Sequence, residues 1–228
     1  MNLQIIIATL FATVVTCGTA TVDHGKIEPF PQPEPVTISE NAAIKFKPQL
    51  FVSASVCASF LAVNAAGETT DGLKGSNRND ACKYALLGSQ VYGRARWYKD
   101  LWPSCFWTGF VSRRHDWKSI VVWIDNPALE TPKIIAVSMS TSDTTYNHPM
   151  ASDYIGTNTS FRVRYQLGLG SPNMTFTHLD GEYQPLIMWE QLTDAARVAL
   201  NESFKFEDAE MPFNDEYFEK RLEKARPL

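Results

Sequence analysis

The chain has 228 residues, 44% of them apolar and 20% charged, with a formal net charge of −4. This is the composition of an ordinary globular protein, one domain or two small ones, without internal repeats or low-complexity tracts. The mildly acidic balance and the lack of a basic stripe exclude nucleic acid as a partner.

The first twenty residues stand apart. Met1–Gln4 lead into the almost wholly apolar Ile5–Val15, and Gly18-Thr19-Ala20 offers small residues for cleavage. That order reads as a secretory signal peptide, although its start carries no Lys or Arg. The apolar run is too short to span a bilayer, and no other segment is long enough. The expected boundaries are a signal peptide at 1–20 and one secreted domain at 21–228.

Removing Cys17 with the signal leaves Cys57, Cys82 and Cys105, and in an oxidising compartment two of the three should pair. Cys57 and Cys82 bracket AGETTDGLKGSNRND, a segment with little apolar surface that needs pinning. Closing that loop contributes on the order of 3 kcal/mol. Cys105 lies among Trp102, Phe106 and Trp107 and reads as a small buried apolar residue. Asn158, Asn173 and Asn201 each begin an Asn-x-Ser/Thr sequon, which permits glycosylation.

In chain order, His24–Pro35 is proline-rich and reads as an extended arm. Thr37-Ile38-Ser39-Glu40 has the form of a capping box and opens a helix to about Phe46, stopped before Pro48. Leu50–Val63 is apolar and β-branched enough for a strand. Ser89–Tyr98 and Trp102–Val111 form an aromatic-dense strand pair, and Lys133–Ser140 is a further strand. Phe161, Val163, Tyr165 and Leu167 alternate with polar neighbours, the two-residue period of a half-buried strand. Thr193–Asn201 is strong helix material, and Asn214 is placed to cap a last helix over Asp215–Ala225, with Phe218, Leu222 and Ala225 on one face. Many strands with peripheral helices predict a mainly β fold, a β-sandwich with helices on its flanks.

The centre of the chain is SRRHDWKSIVVWIDNP, Ser112–Pro127. Ile120–Ile124 is a short apolar run that suits a strand buried on both faces, ended by the Asp-Asn-Pro turn. The polar knot before it, Arg113–Lys118, is where a binding site is expected. Trp117 suits a buried aromatic beside that strand better than a sugar platform. His115 and Asp116 have no nucleophile to pair with, so no catalytic residue is assigned and the protein is not read as an enzyme. His148, before Pro149, reads as a loop residue.

Ser112–Lys118 (SRRHDWK) resembles GHRHDWE, the heptapeptide of the necrosis- and ethylene-inducing-protein-like (NLP) family of plant-associated microbes. The following VVWIDNP, the start KIEPFPQPEPVTISENAAIKFKPQL, the strand SQVYGRARWY and the segments GEYQPLIMWEQLTDAARVALN and MPFNDEYFEKRLEKA also resemble it, in the same order. Cys57 and Cys82 match the disulfide common in that family. The resemblance implies a sandwich like those of actinoporins and fungal fruit-body lectins. It also implies a monomeric protein secreted into the host apoplast and contributing to virulence. Cytolytic members bind plant plasma-membrane sphingolipids, the glycosylinositol phosphorylceramides, through a cavity that holds a divalent cation, calcium or magnesium.

Carried over by position, the heptapeptide's metal-site groups fall on Arg113, Asp116 and Lys118. Of these only Asp116 offers the oxygen that a hard cation takes; Arg113 and Lys118 have no acceptor and add positive charge. Ser112, Arg114, His115 and Trp117 complete the motif region. The family's eleven-residue motif AIMYAWYFPKD is cut to PSCFWTGFV between Trp102 and Ser112, without its Pro-Lys-Asp end. In the family a signalling peptide read by plant immune receptors overlaps this motif, so the shortening bears on that activity as well. Asp100 lies nearby but precedes Trp102, and His178 in THLD resembles a later cavity histidine of the family or, equally, reads as a solvated turn residue. The expectation is a non-cytolytic effector without a bound cofactor. The alternative is a membrane-damaging toxin in which Arg113 and Lys118 contact lipid phosphate directly.

Overall fold

The computed structural model describes residues 21–54, 56–57, 59–72, 85–109, 115–148, 160–168, 172–202, 206 and 209–227. Residues 1–20, read from the sequence as a signal peptide, and Cys82 and Ser112–Arg114 lie outside the described residues.

The centre of the fold is the apolar run read from the sequence, in a strand longer than that run. β1 (Thr21–Val22), β2 (Gln49–Val52), β3 (Thr69–Thr70), β4 (Val91–Ala95), β5 (Trp102–Gly109) and β6 (Trp117–Ile124) come first. They are followed by β7 (Ile134–Ser140), β8 (Tyr146–Asn147), β9 (Arg162–Leu167), β10 (Pro172–Phe176) and β11 (Leu186–Met188). Three helices, α1 (Ile38–Phe46), α2 (Asp194–Asn201) and α3 (Phe218–Ala225), flank them. Every residue of β6 is buried.

Among the described residues, one sheet has six strands in the order β11-β4-β5-β6-β7-β8 and a second has three, β10-β9-β2. β6 is bonded antiparallel to β5 and β7, so its alternating side chains enter two different cores. On one side Trp117, Val121 and Trp123 meet Tyr92, Cys105, Phe213, Phe218 and Leu222 beneath α2 and α3. On the other, Ile120, Val122 and Ile124 meet Val163, Tyr165 and Phe46 from the smaller sheet and α1. This is a β-sandwich with flanking helices.

Local signals explain most of the ends. Thr37 accepts from Glu40 N while the Glu40 carboxylate accepts from Thr37 N at 2.9 Å, the capping box that starts α1. Thr193 caps α2 through Ala196 N. Gly67, at φ +81°, lies against the Ala195 backbone, where a Cβ would come within 2.7 Å of its carbonyl oxygen.

Some expectations are corrected. The strand expected over Leu50–Val63 is limited to Gln49–Val52, because the chain turns at Ser53, whose carbonyl accepts from Val56 N–H, while β9 runs on to Leu167. The last helix begins at Phe218, and Asn214 serves the turn before it, its side chain accepting from Tyr217 N at 2.8 Å. Leu167 is exposed although its alternation partners Phe161, Val163 and Tyr165 are buried. The proline-rich arm is extended but anchored: Ile27 and Phe30 are buried, and Gln32 bonds both the Leu186 carbonyl and its N–H.

Candidate functional site

β6 begins at Trp117, so the motif residues obey the two-residue alternation of a strand and divide between its faces. Trp117 is buried edge-on to Phe206 and Phe213, with ring centroids 5.6 and 5.5 Å away. His115, half-buried, stands edge-on to the same Phe206 at 5.5 Å. Both rings therefore belong to the helical side, and Trp117 presents no sugar platform. Its indole Nε1 has no hydrogen-bond partner among the described residues.

Asp116 and Lys118, two apart, share the opposite face. Lys118 Nζ lies 3.2 Å from Asp116 Oδ2, and the two side chains are only 7% and 2% exposed. The Asp116 charge reaches Tyr165 on β9, whose phenol is pushed upward, by burial first and by that carboxylate second. A buried ion pair thus stands between the two sheets at the start of β6. The alternative in which Lys118 contacts lipid phosphate meets a Lys118 that is buried and turned to Asp116.

The remaining candidates are dispersed. Gly109 at the end of β5 pairs with Trp117, whereas Trp102 at its start pairs with Ile124. Asp100, before that start, is therefore about 23 Å along the strands from the motif. Asp100 cannot fold back to supply a second carboxylate. His178 is exposed and follows Thr177, whose N–H bonds Arg162 at the beginning of β9; Tyr165 lies further along that strand. His148 Nδ1 is 2.9 Å from Ser138 Oγ, which gives its own proton to Ala225 O at 2.6 Å. Nδ1 must then carry the hydrogen, so this histidine is a donor to Ser138.

Asn158 lies outside the described residues. Asn173 is part-buried within β10, and Asn201 is exposed at the end of α2, where its side chain bonds Asp215 at both ends. Cys57 is disulfide-bonded, its expected partner Cys82 lying outside the described residues. Cys105 is free and buried.

The donor set does not suit the divalent cation that the family resemblance implies. The motif's carboxylate already faces an ammonium, which can donate but not coordinate. Among the described residues no three His, Cys, Asp or Glu side chains gather as a metal site. Tyr165 was missed as a site residue because its alternation reads as core; Lys118 was misplaced because only Ile120–Ile124 was read as strand. Extending the strand to Trp117 would have set Asp116 and Lys118 on one face.

The comparisons with known proteins agree over nearly the whole chain. The family profile described as Necrosis inducing protein (NPP1) matches residues 40–225. The chain is 45% identical to NLP effector protein 6 of Plasmopara viticola, over 100% of this chain and 93% of that protein. The crystal structure of the non-toxic HaNLP3 protein matches with TM-score 0.82 and 39% identity, covering 90% of this chain and 99% of the other. NLPPya in complex with mannosamine matches with TM-score 0.81 and 33% identity, covering 92% and 100%. With a profile match over most of its length, and an NLP effector this similar along the whole of it, the chain belongs to the necrosis-inducing protein (NPP1) family, that of the NLP effectors.

Proposed function

We propose that this chain is a secreted, monomeric effector that acts in the host apoplast by binding, not catalysis, and leaves plant membranes unbroken. The observation that carries the reading is the buried Asp116–Lys118 pair. The carboxylate that would draw a metal ion, and through it a lipid head group, is already neutralised inside the sandwich. The likeness to a structure described as non-toxic points the same way.

The partner we propose is a sugar-bearing component of the plant surface, with glycosylinositol phosphorylceramide as the reference ligand. Its support is that a related protein was solved with mannosamine bound. The other reading, a cytolysin that grips lipid phosphate through Arg113 and Lys118, requires a solvent-facing Lys118, and its burial weighs against that.

Infiltration of leaves with purified protein, beside dye release from vesicles containing glycosylinositol phosphorylceramide, tests the proposal. The expected outcome is intact tissue and retained dye at doses where a cytolytic relative kills. Necrosis or dye release at those doses would favour the cytolysin.

A further inference from the structure

We propose that the Lys118 ammonium is a tethered substitute for a divalent cation at the Asp116 carboxylate, making the sandwich independent of metal. This deepens the reading of the same site but stands on the ion pair by itself.

The geometry supports it in three ways. The ammonium is at contact distance from Asp116 Oδ2, 3.2 Å, and both side chains are buried. A carboxylate so enclosed requires a counter-charge, because an isolated buried ion is far more costly than a paired one. The strand supplies that counter-charge without searching for it, since positions 116 and 118 fall on the same face by the two-residue period of β6.

Charge counting then disfavours an added metal. A divalent ion placed at Asp116 Oδ2 would lie within a few ångströms of the Lys118 ammonium, a like charge that repels it. Lys118 could make room only by withdrawing from Asp116 while still enclosed. A hard cation also needs six or more oxygens, and an ammonium offers none. By the same alternation, Lys118 shares the face of β6 that carries Ile120, Val122 and Ile124 into the core shared with the smaller sheet.

The test is a double-mutant cycle read by thermal melting, with and without millimolar Mg²⁺ or Ca²⁺ against EDTA. Unmodified protein should melt at the same temperature in all three. Lys118→Met takes the ammonium from Asp116 and Asp116→Asn takes the charged carboxylate from Lys118; each should lower the melting temperature by about 10 °C. The double variant, which removes both charges of the pair, should recover most of that loss.

If a single variant fails to fold, the double carries the test, and a double that also fails overturns the proposal. Additive single losses overturn it too. A melting temperature of the unmodified protein that rises with cation sinks both this inference and the functional proposal. Necrosis with cation-indifferent melting sinks the functional proposal alone.

Discussion

Cys105 lies in β5 between the six-stranded sheet and the helical layer, and burial pushes its thiol well above the usual range, with Arg94 pulling weakly the other way. The thiolate is the reactive form, so a neutral, enclosed thiol is inert. In the native protein Cys105 should resist an aromatic disulfide reagent, and react with one equivalent once urea is added. Non-reduced peptide mapping should join the Cys57 and Cys82 peptides. Rapid native labelling, or Cys105 found in a disulfide, would contradict both expectations and the chain path around β5.

At the scale of elements, α3 is held to the sheet by a row of acids four residues apart. Asp215 meets Arg94 at 2.8 Å, Glu219 meets Arg96, and Glu223 meets Lys99 at 3.3 Å and also Tyr98. The contacts are unequal. Arg96 and Glu219 are half or more exposed, and an exposed pair is worth less than about 1 kcal/mol. Arg94 has its guanidinium 4.7 Å from the rings of both Trp189 and Phe218 and donates to Phe213 O at 2.8 Å. Two desolvated cation–π contacts and a charged hydrogen bond amount to roughly 3 kcal/mol. Arg94→Ala should therefore cost about 3 kcal/mol in urea unfolding, and Arg96→Ala under about 1 kcal/mol. Equal losses would mean that the charge row, not the ring sandwich, docks α3.

For the whole molecule, three buried phenols set an alkaline limit. Burial raises the Tyr92 phenol to about 12, partly opposed by the Ala62 and Val63 N–H groups that it accepts. Burial also raises Tyr146 and Tyr165. A group whose folded pKa lies above its unfolded value of about 10 stabilises the fold fully below pH 10. That contribution is lost as pH climbs to the folded value, because the unfolded chain releases the proton first. For Tyr92 this is on the order of 3 kcal/mol between pH 10 and 12. Urea midpoints should fall steeply above pH 10, and the share of the phenolate absorbance that belongs to these three tyrosines should be withheld until the chain unfolds. Ionisation of these phenols in a chain that stays folded would mean that water reaches them.

The sequence by itself determined the elements whose cause is local. Thr37 and Glu40 start α1 by a bond within one turn, and the apolar Ile120–Ile124 demands a strand covered on both faces. The long stretches that resemble the NLP family determined the fold class. Tertiary structure alone decided how long β2 is, since the chain turns away from β9 at Ser53 while β9 continues, and where the last helix could begin. It decided the site as well. Lys118 is a solvated charge in any local reading, because a long polar side chain faces water unless its backbone is committed to a buried strand. Pairing between β5 and β6 carries that strand back to Trp117, and Asp116 and Lys118 are buried together at its start. Whether two opposite charges meet or remain apart depends on which face is covered, and only the packing of one sheet on the other settles that.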